Sequence, residues 1–338
     1  MTMQPVITCD FLLAPAYCDP TLIDDFVTDL MQIHADITNS DHPPFLEDEA
    51  YIKLQQANRF PTDKVFATNI QEDGVTTYSA NDITTIINQI LSTAKSMEEK
   101  DYFWVSDWND LTLLPAPLAH DVPNRPSELS ELFVSLALYS LTQGKNPCAL
   151  HHYPPFSPLT EVNGTLLNAH PSQLTFPIQV KQHIPVHASY KSYFSHIDGS
   201  HFFSAEMSNY DLKLGVYSYA LRIVREAGED LQTVEWSSFS FGEDFIESMN
   251  NNQANFDQKY FNTLIECLSH IVAGRPKNQL SPFHTSATSG VQIKRGGNLA
   301  YRSHITKAGA ALRLMHWKTP NGKIIFANVG VKGELIIL

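Results

Sequence analysis

The chain of 338 residues contains no Cys-x-x-Cys pair, no G-x-G-x-x-G or P-loop glycine pattern, and no G-x-S-x-G turn. These absences remove zinc knuckles, dithiol redox centres, the common nucleotide-phosphate loops and the hydrolase nucleophile elbow. No apolar run approaches the ~18 residues of a membrane span, and no basic segment followed by an apolar run opens the chain. The expectation is a soluble, cytoplasmic protein that does not enter membranes. Its four scattered cysteines, Cys9, Cys18, Cys148 and Cys267, are expected to be reduced. The most informative scarcity is local. Residues 271–338 hold a single acid, Glu334, against ten basic side chains, whereas the whole chain holds 36 acids and 23 bases. The tail is therefore +9 and the preceding 270 residues −22, an asymmetry that points to polyanion binding or to docking on an acidic surface.

What is present reads as a mixed α+β protein. Asp19-Pro20 opens a helix over 21–35 with Leu22, Ile23, Phe26, Val27, Leu30 and Ile33 on one face. A short helix is expected over 47–56, and a longer one after Asn81 with Ile83, Ile86, Ile87, Ile90 and Leu91 aligned. A third runs from Pro126-Ser127 to Gly144. Residues 102–105 read as a buried strand and the proline-rich 146–158 as a loop. Leu174, Phe176, Ile178 and Val180 alternate as in a strand, and 186–203 reads as two more. Residues 217–225 fit helix or strand. The last hundred residues give a strand over 234–241, a short helix over 242–249 and a long helix carrying Phe256, Tyr260, Phe261, Leu264, Ile265, Leu268 and Val272. Strands are expected over 291–295, 300–305, 311–318 and 323–329, the last two joined by Pro320-Asn321-Gly322, and 335–338 as an edge strand. Three regions follow: an acidic helix-rich one over 1–145, a histidine- and aromatic-rich one over 146–231, and a basic domain over 232–338.

The basic domain, with its "SFSFGEDFIESM", its "FDQKYFNTLIECLSHIV" and its "AYRSHI…ALRLMHWKTPNGKIIFANVGVKGEL", resembles the RelE/ParE toxin superfamily. The resemblance covers under a third of the chain. It implies a strand, two helices and an antiparallel meander. It also implies that Arg302, Arg313 and the Val329-Gly330 element with Lys332 occupy the positions of the family's basic site. Family members that cleave RNA do so without metal, so the resemblance implies a toxin–antitoxin or phage-defence setting and a metal-independent endoribonuclease. An antitoxin or defence-complex protein is the implied partner. The chain departs from the family's nucleases in ending Glu334-Leu335-Ile336-Ile337-Leu338, where they often carry a catalytic Tyr, His or Lys.

Such cleavage needs cations on the phosphate and an acid–base pair near neutrality. Arg302 and Arg313 on adjacent strands are the expected phosphate clamp, and His304 and His316 the expected acid and base. Lys294, Arg295, Lys307, Lys318, Lys323 and Lys332 are the expected nucleic-acid contacts, with RNA or DNA as partner. Tyr301 and Trp317 are available for base stacking, though core packing is the plainer reading of Trp317. No cofactor and no resident metal is expected. The alternative is a non-catalytic protein that binds nucleic acid or a partner through the basic sheet. A second alternative is a metal-dependent hydrolase built on central histidines such as His196, with Asp198 and His201 close by. Cys148 beside His151 and His152, and the carboxylates Asp107, Asp110 and Asp121, are weaker constellations.

Overall fold

The computed structural model describes residues 3–73, 76–100, 102, 104–116, 124–152, 157–171, 173–286, 290–306 and 311–338. Helices and mixed sheets make an α+β protein. The chain divides into two compact units, Met1–Tyr193 and Phe194–Leu338. Neither expected boundary, after 145 or after 231, coincides with that division. Residue 146 begins a strand in the middle of the first sheet, and a helix over Asn209–Glu226 belongs with the basic unit.

The first unit is built on strands β1 (Met3–Ile7), β2 (Phe45–Leu46), β3 (Val105–Leu114), β4 (Asn146–Leu150), β5 (Leu159–His170) and β6 (Ile178–His187). Among the described residues they form one sheet in the order β2-β1-β4-β6-β5-β3. The first four strands are parallel and the last two antiparallel. Its helices are α1 (Cys9–Leu12), α2 (Ala14–Tyr17), α3 (Ile23–Asn39), α4 (Ala50–Gln56), α5 (Asp63–Asp73), α6 (Ala80–Thr93) and α7 (Arg125–Gln143). The buried stripe of α3 is Ile23, Phe26, Val27, Leu30 and Ile33, the one the spacing indicates. The cap of α6 is Ser79, not Asn81: its hydroxyl accepts from the Asp82 amide and Asp82 returns the bond, a reciprocal capping box. Gly144 closes α7 at φ 61°. Along one face, α7 buries Leu129, Leu132, Phe133, Leu136 and Tyr139 against Val162, Ile184, Val186 and Ala149 of the sheet.

Two expectations fail here. The prolines of 146–158 conceal β4, a central strand. Pro147 is tolerated because β6 pairs with β4 only at Ala149 and Leu150, so the missing amide falls outside that ladder. The strand expected at 102–105 begins only at Val105, and it is an edge strand that leaves Val105 and Leu114 exposed; Phe103 lies outside the described residues.

Helix α8 (Tyr190–His196) spans the division, and it replaces one of the two strands expected over 186–203. A 3-10 turn at Gly199–Phe202 replaces the other, held by Asp198, which accepts from the Ser200 amide. The second unit continues with α9 (Asn209–Glu226), β7 (Phe239–Phe241), α10 (Phe245–Asn251) and α11 (Phe261–Val272). Strands β8 (Ser281–Pro282), β9 (Lys294–Arg295), β10 (Asn298–His304), β11 (Arg313–Lys318) and β12 (Ile324–Gly330) complete it. The sheet order is β7-β12-β11-β10-β8, with β9 also on β10. β7 runs parallel to β12, and the meander β10-β11-β12 is antiparallel. One face packs on helices: Phe326 meets Phe239, Phe241 and Phe245, and Cys267 of α11 lies 3.9 Å from the Ser303 hydroxyl. The other face is lined by Ala300, Met315, Trp317 and Ala327 under Phe283 and Ile337.

The 319–323 turn differs from the two-residue form that Asn-Gly favours. Thr319 donates its amide to the Lys323 carbonyl, and only Gly322 has positive φ, at 88°. The result is a three-residue loop ending in a left-handed glycine. Residues 335–338 are not a strand. Instead they are tied down by side chains: Trp317 Nε1 donates to the Leu338 carbonyl at 2.8 Å, and the Leu338 amide donates to Asn328 Oδ1 at 3.2 Å.

Candidate nucleic-acid interface

Register decides which basic side chains can act together. Residues paired directly across antiparallel strands share a face, and neighbours along a strand alternate. Arg302 pairs with Met315 and His304 with Arg313, so Arg302, His304 and Arg313 lie on the same face as Ala300, Met315 and Trp317. Arg302 holds its guanidinium 5.6 Å above the Phe283 ring. Arg313 donates from Nη1 to the Ala311 carbonyl at 2.9 Å and the Leu312 carbonyl at 3.2 Å. Burial, followed by the neighbouring Arg302 charge, draws the Arg313 guanidinium below its usual range. Both guanidiniums lie on one face of the sheet and remain half-buried rather than sealed.

His316 does not join them. It pairs with Tyr301 on the opposite face, 2% exposed, stacked on Tyr301 at 5.7 Å and against Phe326 at 6.1 Å. Burial, aided by Lys318, pushes its pKa down to about 4, so the ring is neutral at physiological pH. Its Nδ1 is buried with no hydrogen-bond partner among the described residues. The expected His304–His316 acid–base pair is therefore split by the sheet. The signal was in the sequence: Arg302 and His304 are two apart, whereas Arg313 and His316 are three apart, an odd offset that reverses the face. Trp317 is core, 4% exposed, and Tyr301 is half-buried.

The remaining cations fall into two groups. Lys294 and Arg295 lie where β9 meets the start of β10, at the same end as Lys318, which pairs with Leu299 and Ile324. Lys323 belongs to this end and lowers the pKa of Lys213 after burial has done so, to about 8. Arg295 lies over Trp317 and donates to the Ile337 carbonyl at 3.1 Å. Lys332 follows β12 at the Arg313 end. Lys307 lies outside the described residues. Of the ten basic side chains after residue 270, Arg275 and Lys277 are ion-paired, to Glu229 and Glu266. The seven others that are described, Lys294, Arg295, Arg302, Arg313, Lys318, Lys323 and Lys332, make no ion pair among the described residues.

The first unit contains the opposite arrangement, which the sequence reading missed. Parallel strands β1, β2 and β4 deliver Thr8, Asp10, Glu47 and His151 just beyond their carboxyl ends, and Arg125 opens α7 beside them. Arg125 donates to both Asp10 (2.8 and 2.6 Å, on Oδ2) and Glu47 (2.5 and 2.8 Å), and reaches Glu128 at 3.0 Å. Lys53 adds a second cation 3.2 Å from Glu47. Burial alone would raise the Glu47 carboxyl, but Arg125, Lys53 and the Cys9 amide outweigh it and hold its pKa at about 2. His151 Nδ1 lies 3.2 Å from Thr8 Oγ1 and 3.5 Å from Asp10 Oδ2. Cys148 is fully buried, with its thiol pKa pushed well up by burial, which disarms it as a nucleophile toward His151 or His152. Asp121 lies outside the described residues. Asp198 is spent on the Ser200 amide and the Tyr219 hydroxyl, and among the described residues no three His, Cys, Asp or Glu converge as a metal site.

No protein-family model, curated protein or solved structure matches the chain. No described helix is long and apolar enough to cross a membrane.

Proposed function

We propose that the second unit binds RNA through its sheet, as an RNA-directed, toxin-like module, with Arg302 and Arg313 gripping one phosphate, Arg295 and Lys332 extending the contact, and Lys294, Lys318 and Lys323, of which the register puts Lys294 and Lys318 on the His316 face, meeting the polyanion at the strand ends. The observation that carries this is the set of seven C-terminal cations without a carboxylate partner. Charges left uncompensated on a folded sheet lower the free energy of a bound polyanion by releasing its counterions. RNA is preferred over DNA because of the family resemblance, with which the strand, two helices and meander of this unit are compatible.

Metal-independent cleavage, if it accompanies binding, rests on Arg302, Arg313 and His304. His316 is excluded from the reacting face by its position and stays neutral. The test is anisotropy of a labelled single-stranded RNA on the full-length protein from 50 to 300 mM KCl, with the same RNA run on a gel after incubation in EDTA. Binding that weakens steeply with salt supports the reading, and binding insensitive to salt overturns it. Strand scission lost in His304→Ala but retained in His316→Gln would assign the enzyme. Intact RNA throughout would leave a binding module. A second reading, an acidic protein partner, is favoured by Val331, Leu335 and Ile336, which are exposed beside Lys332. A partner that displaces RNA competitively would identify it.

A further inference from the structure

Beyond β12 the chain reverses and lies back on the sheet. The Glu334 amide donates to the Val331 carbonyl at 3.0 Å, and Gly333 takes φ 98° in this turn, which glycine adopts without strain. Glu334 Oε1 then accepts the Leu335 and Ile336 amides, both at 2.9 Å. Asn328 of β12 holds the returning segment at two points. Its Nδ2 donates to the Ile336 carbonyl at 3.3 Å, and its Oδ1 accepts from the Leu338 amide at 3.2 Å. Trp317 Nε1 donates to the Leu338 carbonyl at 2.8 Å, and Arg295 donates to the Ile337 carbonyl at 3.1 Å. Ile337, 5% exposed, packs with Phe283, Ala300, Met315 and Trp317, whereas Leu335, Ile336 and Leu338 stay exposed. No strand ladder fixes residues 334–338. One buried anchor and a few side-chain hydrogen bonds make a segment that opens locally at low cost.

The face under this segment is the one that carries Arg302, His304 and Arg313. Trp317 pairs with Ala300 on that face, and Asn328 and Gly330 of β12 pair there with Met315 and Arg313. Gly330 shows how closely the segment returns. A Cβ at this position would lie 2.8 Å from Glu334 Cγ and 2.8 Å from Met315 Cε, so a side chain there would have to push Glu334 aside. Glu334, the one acid among residues 271–338, is therefore seated on the cation-bearing face, against the residue that pairs with Arg313. A carboxylate at that point repels an incoming phosphate. The same segment hides the Trp317 indole, 4% exposed, and engages the Arg295 guanidinium. While it is down, an aromatic ring suited to base stacking and one cation are withheld from a ligand.

We propose that residues 334–338 form an autoinhibitory strap over this face, and that single-stranded RNA binds by displacing it, freeing Arg295 for a phosphate and Trp317 for a base. The strap rests on the RNA-binding reading above and supplies the regulation of that same site. A site that is open only part of the time binds with an affinity reduced by the open fraction, so loosening the strap tightens binding. The experiment compares the full-length protein with Ile337→Ser, which removes the buried anchor, and Asn328→Ala, which removes two of the hydrogen bonds. Each variant should bind a labelled single-stranded RNA about tenfold more tightly than the wild type. Adding Arg302→Ala/Arg313→Ala to Ile337→Ser should abolish the gain. Asn328→Ala leaves Ile337 buried, so it reads out the strap even where Ile337→Ser melts early. A second measurement needs no variant: backbone amide order parameters of residues 335–338 in the wild type should fall toward the ~0.6 of a flexible segment when RNA saturates the protein. Wild-type affinity in both variants, with thermal melts showing folded protein, overturns the strap alone, as does a segment that stays equally ordered with RNA bound. Absence of salt-sensitive RNA binding in the wild type and in both variants overturns the RNA reading, and the strap with it.

Discussion

Arginine does opposite work in the two units. Arg125 is 4% exposed, and its guanidinium donates to Asp10, Glu47 and Glu128. Arg302 and Arg313 are half-buried on one face of the sheet, without a carboxylate partner among the described residues, and burial followed by the Arg302 charge draws Arg313 below its usual range. In the first unit the strand ends, α1, the start of α4 and the start of α7 are locked by mutual compensation. The second unit keeps seven C-terminal cations without a carboxylate partner among the described residues. Charge content alone does not separate these uses; compensation within the fold does.

The largest expected effect breaks the compensated cluster. Arg125→Leu leaves Glu47 and Asp10 buried without their main cation, and should destabilise the protein by about 3–5 kcal/mol in urea denaturation. Arg302→Ala should change stability by no more than about 0.5 kcal/mol. Equal losses for both variants would end the contrast. Next in size is pH. The pKa of His316 is depressed to about 4, so only the unfolded chain takes up that proton readily as pH falls below the ordinary value. Stability of the second unit is therefore lost as pH falls from about 6.5 toward 4, by up to about 3 kcal/mol. His316→Gln should abolish most of that loss in melts recorded across the window. In the first unit Asp29 behaves inversely. Burial, against the opposing Tyr190 amide and Lys191, raises its pKa to about 7, so acidification from pH 7 to about 4 protonates it and favours that fold. Asp29→Asn should flatten this acid-side gain.

On the binding side, Arg302→Ala/Arg313→Ala should lower RNA affinity about tenfold or more. It should also reduce the slope of log affinity against log salt by about 1.4, the value for two phosphate contacts on a single strand. An unchanged slope would remove both arginines from the interface. The smallest effect is local: Gly322→Ala, at φ 88°, should cost about 1 kcal/mol with RNA binding retained.

What the sequence made legible follows from how local each signal is. The stripe of α3, the glycine ending α7 and the three meander strands are written in neighbouring residues, and each appears close to its expected bounds. Strand β4 was hidden because proline signals a break locally, whereas the ladder that tolerates Pro147 involves residues more than thirty positions away. Residues 186–203 were misread because buried aromatics such as Tyr193 and Phe194 suit a helix and a strand equally. The Asp10–Glu47–Arg125 cluster could not be found by spacing, since the order of β2 and β1 and the entry into α7 bring its three members together.

The pairing of β7 with β12 carries a consequence for how the protein is made. Phe239 is translated more than eighty residues before Ile324, the residue it faces across the parallel ladder. During synthesis the early strand must wait, without its β12 partner, until residues 324–326 have also left the ribosome. The cation-bearing sheet thus closes only after the acidic part of the chain has already emerged into solution.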